Sequence, residues 1–254
     1  MPYGTYLSAA GARAQSHRME VLSHNLANVE TPGFKPQSTV LQSRFAEMIE
    51  RGDVSPGPDG QGYDGIDRIG GGVTVQPTVT DYGVGSIRQT GRRTDFAIND
   101  DTSFFTVRRG DDLLLSRAGN FLFDASGTLV NQNGDQVLDT AGDAVRIDPS
   151  LPYRVAPGGW IHQAERTVGL MLARPQSVSD LEHTGDNFFV PTRAVDPVPD
   201  DERRVANNAI EMSGVKPTAA MMELVETSRV YEANVRMIQN QDTVTGSLLS
   251  RVLS

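Results

Sequence analysis

The side chains that could carry chemistry are few and widely separated in this sequence. Its four histidines are His17, His24, His162 and His183, and the first two lie seven residues apart on one face of a predicted helix. A zinc site needs a third ligand at suitable spacing, and no HExxH or comparable cluster is present. The chain has no cysteine, so it has no thiol nucleophile, thiolate metal site or disulfide.

The glycine-containing motifs do not predict a cofactor site either. GPDGQG at 57–62 matches a loose dinucleotide-binding pattern, but it follows no predicted strand and opens no predicted helix. FDASGT at 123–128 lacks the acidic ligands of a calcium loop, and there is no phosphate-binding loop or serine nucleophile elbow. We therefore predict no catalytic, cofactor-binding or metal-binding residues, and a protein that is not an enzyme.

Charge and hydropathy narrow the range of partners. The net charge is −9, so the average field repels phosphate backbones, and we expect no nucleic-acid partner. No run of about 18 apolar residues occurs, so no transmembrane segment is expected. The N-terminus has no basic region followed by an apolar one, so we expect no cleaved Sec signal.

The N-terminus is predicted to be helical. Residues 6–29 contain no proline, and Pro32 followed by Gly33 is typical of a helix end. Apolar residues fall on one helical face at 3, 4 and 3 spacing, namely Met19, Leu22, Leu26 and Val29. Small residues that would allow close approach of another backbone precede them: Ala9, Ala10, Gly11 and Ala14.

The C-terminus shows the clearest periodicity, a heptad pattern over Pro217 to Val252 that predicts a helix about 50 Å long. The residues of this pattern are separated alternately by three and four positions: Met221, Leu224, Ser228, Tyr231, Val235, Ile238, Asp242, Thr245, Leu249 and Val252. Asp242 is the charged member. It either sets the register through a buried polar contact or is solvated on a slightly rotated helix.

The middle of the chain is predicted to be β-rich. Short alternating runs separated by Gly110-Asp111, Ser126-Gly127 and Asn133-Gly134 indicate antiparallel hairpins. We predict an α+β fold in which long N- and C-terminal helices pair as a coiled-coil-like domain with an antiparallel β domain inserted between them. The predicted boundaries are 1–36 and 205–254 for the helical domain, 37–72 for a short helix (40–51) and a Gly/Pro-rich linker, and 73–204 for the β domain, which ends in a connector at 195–204.

Three segments resemble a known family. NLANVETPGFK at 25–35 is similar to the N-terminal signature of flagellar basal-body rod and hook proteins. FFTVRRGDDLLLSRAGNFLFDASGTLVNQNGDQVL at 104–138 and SRVYEANVRMIQNQDTVTGSLL at 228–249 resemble the family's central strands and closing helix, in the same order. The sequence departs from the family at Leu115, where tyrosine is common, and at 213–216, which differs from the usual Ser-Asn-Val-Asp.

The resemblance implies a structural rod subunit that assembles with copies of itself and other rod proteins around an export channel. It also implies delivery by the flagellar type III export apparatus to the periplasmic rod, with no cofactor. The chain is too short for the hook protein, and Ala-Ala-Met at 219–221 looks more like the proximal than the distal rod protein. The expected assembly residues are Leu22, Asn25, Leu26, Asn28, Val29, Phe34, Met221, Leu224, Tyr231, Val235, Ile238, Asp242, Leu249 and Val252.

Alternative interpretations remain open at this point. Asn25 and Asn28 either bridge helices of different subunits or mark a fraying helix end, whereas Arg117 and Gly119 are expected to have structural roles at a strand and turn. The competing class of protein is a soluble β-rich hydrolase or binding domain whose terminal helices are incidental. Such a protein would be monodisperse with protected ends, whereas a rod subunit would associate through its ends.

Overall fold

A computed structural model describes residues 3–43 and 72–252 and has the predicted α+β class. Two long helices lie at the ends of the chain: α1, Tyr3–Ala27, and α2, Pro217–Val252. The bounds of α2 are those predicted, with Pro217 at the first helical position, where its missing N–H leaves no bond unmade. Helix α1 begins three residues before the predicted start and ends two residues before the predicted end.

Residues 3–43 and 72–252 also contain twenty short strands and two short 3-10 helices, at Val178–Asp180 and Asp200–Glu202. The strands are β1 Gln37–Ser38, β2 Leu41–Ser43, β3 Val73–Val75, β4 Val79–Thr80, β5 Ile87–Gln89, β6 Phe96–Ile98, β7 Phe104–Arg109, β8 Asp112–Ser116, β9 Leu122–Phe123, β10 Leu129–Val130, β11 Gln136–Val137, β12 Arg154–Ala156, β13 Trp160–Gln163, β14 Arg166–Gly169, β15 Leu172–Pro175, β16 Leu181–Gly185, β17 Phe188–Pro191, β18 Val195–Pro197, β19 Val205–Asn207 and β20 Ala209–Glu211.

The chain divides into two compact units whose boundaries differ from the predicted ones. A helical unit comprises Met1–Ala27, Gln37–Thr80 and Lys216–Ser254, and a β unit comprises Asn28–Pro36 and Asp81–Val215. The segment 28–36 belongs to the β unit because its backbone is hydrogen-bonded there. The strands of 37–80 belong to the helical unit.

Two predictions for the connecting regions need correction. The predicted helix over 40–51 is wrong at its start, because Leu41–Ser43 is a strand that pairs antiparallel with β3. Residues 44–51 and most of the predicted linker, 52–71, lie outside the described part of the chain. The connector predicted at 195–204 contains β18, which pairs with β15.

In the helical unit, α1 and α2 lie antiparallel. Gly4 is against Gln241, Gly11 is against Asn234, and Arg18 Nη2 is 4.0 Å from Glu223. The glycines allow this approach, since a Cβ added to Gly4 would lie 2.6 Å from the Gln241 amide nitrogen. Another face of α1 contacts β1, β3 and Gly72, so α1 is in contact on two sides.

The β unit is built around a sheet in the order β16-β17-β8-β7-β11-β10-β9. Strand β7 also pairs with β15 beyond the end of β11, and β15 carries β18. Strands β12, β13 and β14 form a separate antiparallel sheet, whereas β6 pairs with β19 and β5 with β20. All the pairings are antiparallel, as the hairpin signals predict.

Apolar side chains are buried on both faces of the central sheet. Consecutive residues of a strand point to opposite faces, so each Phe-Phe or Leu-Leu pair is divided between two cores. Phe105, Leu114 and Phe188 join the larger core, which also contains Phe96, Leu129 and Ile161. Their neighbours Phe104, Leu115 and Phe189 form the smaller core with Ala173.

The same five-residue turn occurs three times in succession. The side chain of its first residue accepts hydrogen bonds from the backbone N–H groups two and four positions later, at 2.8–3.0 Å. Its fourth residue is a glycine with φ between 79° and 88°, in the left-handed region that favours glycine. The turns are Asp124–Thr128, Asn131–Asp135 and Asp139–Asp143.

The two glycines Gly127 and Gly134 provide a matched test of what these turns require. Both have positive φ, so replacement of Gly134 by alanine, in open space, should cost about 1–2 kcal/mol. Gly127→Ala should cost clearly more, because the new Cβ would overlap the Ile147 carbonyl. Urea unfolding followed by fluorescence of the single tryptophan, Trp160, measures both values; equal losses would show that the close approach to Ile147 relaxes freely.

Candidate functional site

The segment Asn28–Pro36, which follows α1, forms a tight turn. The Thr31 hydroxyl donates to the Asn28 side chain at 3.1 Å, and the Thr31 N–H donates to the Asn28 carbonyl at 3.2 Å. Gly33 has φ +67° and lies directly against the main chain of Arg117, so a Cβ would not fit there. The turn and the lack of a side chain at Gly33 allow this segment to pack closely against the rest of the β unit.

Most of the main chain from Pro32 to Pro36 is bonded within the β unit. The bonds are Asn187 Nδ2 to Pro32 O at 2.9 Å, Gly33 N to Glu211 O at 2.8 Å, Gly214 N to Phe34 O at 3.0 Å and Asp81 N to Pro36 O at 2.9 Å. The side chain of Phe34 is 3% exposed. Phe34 was predicted to contact a neighbouring subunit, but its burial within its own chain leaves it no surface for that contact.

Asn187 reaches Pro32 from a two-residue hairpin turn. Gly185 and Phe188 pair across β16 and β17, and the intervening Asp186 and Asn187 both have positive φ. Two left-handed residues are what a type I′ turn requires, and Asp and Asn tolerate them well. The turn thus positions the Asn187 amide.

Four charged side chains meet where this segment joins the β unit, and we call them the ion cluster: Lys35, Glu211, Arg117 and Asp100. Lys35 Nζ donates to Glu211 Oε1 at 2.6 Å and to the Gly83 carbonyl at 2.9 Å. Arg117 Nη1 lies 3.6 Å from Glu211 Oε2 and donates to the Asp100 carbonyl, and its guanidinium is stacked over Phe104. Arg117 Nη2 is also 3.8 Å from Asp100 Oδ1, so cations and carboxylates alternate through the cluster.

Burial dominates the electrostatics of the ion cluster. Lys35 and Glu211 are each 1% exposed, and Arg117 is fully buried. Desolvation lowers the pKa of the Lys35 ammonium, and the Glu211 carboxylate opposes part of that shift. Desolvation likewise lowers the pKa of the Arg117 guanidinium, against the fields of Glu211 and Asp100. Glu211 therefore serves as the counter-ion of two buried cations.

The assembly residues predicted on α1 also make contacts inside the chain. Leu22 and Asn25 are buried, whereas Leu26, Asn28 and Val29 are half-buried. The Asn25 side chain donates to the Gln37 carbonyl at 2.7 Å and accepts from the Gln37 N–H at 3.0 Å. Asn25 thus joins the end of α1 to β1 of the same chain, a contact that neither earlier alternative included.

On α2, the predicted row corresponds to the face toward α1 only in part. Leu224, Tyr231, Val235 and Ile238 are half-buried, whereas Met221 is exposed. Leu249 and Val252 are helical, and their side chains lie outside the described part of the chain.

Asp242 is exposed, as expected from the second interpretation, a slightly rotated helix. Gly4 of α1 lies against Gln241 rather than Asp242, and Thr245, one turn farther along α2, is again half-buried, so the face toward α1 is rotated from the predicted row. Gln241 is the polar residue that contacts α1, since Thr5 donates to its amide oxygen at 2.7 Å.

A second row on α2 is apolar and exposed. Val230, Met237, Val244 and Leu248 are 41%, 51%, 58% and 57% exposed, at spacings of 7, 7 and 4 residues. A helical stripe of this kind generally contacts another helix. Within the described residues the chain offers it no cover.

Sequence reasoning did not find the roles of Lys35, Glu211 and Asn187. Lys35 lies in the segment that carried the family resemblance, and Glu211 interrupts an otherwise apolar strand end, AIEM, which was the available signal. Their partnership spans 176 positions, and no local pattern encodes it. Among residues 3–43 and 72–252, no group of three or more His, Asp or Glu side chains could hold a metal ion.

Comparison with known proteins gives family matches at both ends of the chain and relatives along nearly its whole length. The description "Flagella basal body rod protein" matches residues 6–35, and "Flagellar basal body rod FlgEFG protein C-terminal" matches residues 206–251. The flagellar basal-body rod protein FlgF of Caulobacter vibrioides is 27% identical, over 99% of this chain and 98% of its own. FlgG of Buchnera aphidicola from Schizaphis graminum is 27% identical over 96% and 97%, and FlgG of Agrobacterium fabrum is 28% identical over 97% and 98%.

These findings support a protein of the flagellar basal-body rod family. Members of this family are structural, non-enzymatic components of the basal body, and they assemble with other flagellar parts. The two matched regions contain Lys35 and Glu211, so both partners of the shortest ion pair in the cluster lie in rod-family sequence. In the described part of this rod protein, neither helix is long and apolar enough to cross a membrane.

The ion cluster predicts a large effect at Glu211. Glu211→Ala would leave Lys35 and Arg117 buried without their shared counter-ion, and we expect a loss of about 3–5 kcal/mol in the free energy of unfolding. Urea unfolding followed by Trp160 fluorescence measures this loss.

Glu202 is the matched control for this substitution. Its carboxylate is 2.7 Å from Arg174, a distance like that of Lys35 and Glu211, but the two side chains are 51% and 36% exposed. Glu202→Ala should therefore cost less than about 1 kcal/mol. Similar losses for the two variants would contradict the importance of burial.

Proposed function

We propose that this protein is a subunit of the axial rod, or drive shaft, that self-assembles through its two terminal helices around the export channel. One observation carries the proposal: the two family matches fall on the parts of the chain that form α1 and α2, and α2 exposes a second apolar row. A rod requires contacts between different surfaces of successive copies, arranged so that the copies do not close into a ring.

Within the family, we propose the proximal type of rod subunit. The support is Ala219-Ala220-Met221 at the start of α2, which resembles the proximal rod protein. The alternative is the distal type. It stays open because relatives of two different names, FlgF and FlgG, match this chain equally well, at 27% identity. Basal bodies from a strain without the distal rod protein distinguish them: a proximal subunit remains in these particles, and a distal one is absent.

We further propose that the flagellar type III apparatus exports the chain to the periplasmic rod without removal of its N-terminus. The support is that Gly4 and Thr5 contact Gln241, so residues near the N-terminus belong to the folded helical unit. Mass spectrometry of purified basal bodies should recover peptides that include residues 4–13. An N-terminus trimmed by about 20 residues would contradict this export route.

Helix pairing can be tested at Ile238. Ile238→Asp would place a carboxylate against α1, at a cost of several kcal/mol if it stays charged and buried. We expect loss of motility and of incorporation into basal bodies, while Trp160 fluorescence shows that the β unit still folds. Assays of swimming and of basal-body composition measure the effect.

Gln239→Asp is the matched control, because Gln239 is exposed on the adjacent helical position. It should leave motility unchanged, as should His162→Ala, which alters an exposed histidine outside the helices. If His162→Ala abolished motility and Ile238→Asp did not, a function based on a site in the β unit would replace the one proposed.

A further inference from the structure

The exposed row on α2 has the spacing of a helix-pairing surface. Val230, Met237 and Val244 are separated by seven residues, and Ala233 and Asn240 fall between them, which gives steps of 3 and 4. We call Val230, Ala233, Met237, Asn240 and Val244 the outer row. In the outer row, three large residues alternate with the small Ala233 and the polar Asn240. A polar residue in a coiled-coil core commonly fixes the register of the two helices.

Helix α1 of the same chain does not cover the outer row. It contacts the neighbouring face of α2, where Leu224, Tyr231 and Ile238 are half-buried. The outer row is displaced from that face by about a quarter turn at 100° per residue. Because Met237 remains 51% exposed and Val244 58% exposed, a second helix has room to pack beside the first.

The free face of α1 has complementary features. Ala9, Ser16 and Ser23 are also seven residues apart, and Arg13 and Glu20 lie between them. Ser23, Arg13 and Glu20 are exposed, and Ala9 and Ser16 are half-buried. No large apolar side chain of the described part of α1 is exposed, so this face offers shallow positions bordered by one positive and one negative charge.

We infer that the outer row of one copy packs on the Ala9–Ser16–Ser23 face of α1 in a second copy. Both surfaces repeat every seven residues over three positions, so each large side chain of the outer row meets a small residue. The contact joins two different surfaces, as an open assembly demands. This inference rests on the proposed self-assembly and specifies which helical faces meet.

The relative direction of the two helices follows from the polarity of the assembly. If all subunits point the same way along one axis, α2 is antiparallel to the α1 of a neighbour, as it is to its own. Matching the repeats then places Ser16 opposite Met237, Ala9 opposite Val244 and Ser23 opposite Val230.

Charge complementarity supports this register. Glu20, which is 3.6 Å from His17 of its own helix, then lies opposite Ala233, near Arg229 and Arg236; Glu232, 3.8 Å from Arg236, is the acidic neighbour on α2. Arg13 lies opposite Asn240, whose amide oxygen can accept a hydrogen bond from a guanidinium. At the directly opposed positions of the two rows, no two charges have the same sign, which would oppose the contact.

The absence of native cysteine makes a disulfide test unambiguous. The variant Ser16→Cys with Met237→Cys should form disulfide-linked dimers and longer ladders in isolated, mildly oxidised basal bodies, seen by non-reducing gel electrophoresis. Each single-cysteine variant should remain monomeric. The pair Ser16→Cys with Gln239→Cys is the matched negative control, because Gln239 lies on a different face of α2.

A pair of cysteines introduced within one chain is the positive control for disulfide formation. Gly11 and Asn234 face each other within one chain, where a Cβ on Gly11 would lie 3.0 Å from Asn234 Oδ1, so Gly11→Cys with Asn234→Cys should close without forming dimers. The inference fails if this control closes in assembled basal bodies while Ser16→Cys with Met237→Cys does not link. It also fails if Met237→Cys alone links two copies, which would indicate pairing between two outer rows. Absence of the unmodified chain from basal bodies would instead refute the proposed function.

Discussion

Two buried cations share one buried carboxylate in this protein, and the arrangement of the chain around them follows from that requirement. Removing an ammonium and a guanidinium from water is costly unless a counter-ion lies close beside them. Glu211 meets the requirement for Lys35 directly and for Arg117 at 3.6 Å. The segments that contain these residues can therefore adopt only one register relative to one another.

The same requirement acts on the connectivity of the chain. The backbone passes between the helical and β units after residues 27, 36, 80 and 215. Segments 28–36, 81–85 and 211–215 are all bonded to one another beside the ion cluster, through Gly33, Lys35, Pro36 and Glu211. Three separate stretches of the β unit are thus held together at the same buried carboxylate.

The elements that depend on local pattern were predictable from sequence. The heptad spacing and Pro217 defined α2 to the residue, and the Gly-containing turns predicted the antiparallel hairpins. Features that depend on distant residues were not: the strand at 41–43 needs β3 as its partner, and the exposure of Asp242 depends on which face of α2 lies against α1. The pairing of Lys35 with Glu211 has no local signature at all.

The three successive turns between Asp124 and Asp143 have a consequence for the order of folding. Each is completed by bonds between residues at most four positions apart, so it forms without waiting for the rest of the chain. Contacts of short sequence separation close on the microsecond scale, whereas those that join distant segments incur the loop-closure entropy of a long intervening chain. The stretch of turns can therefore act as an early nucleus. Lys35 must remain solvated until Glu211, 176 positions later, arrives beside it.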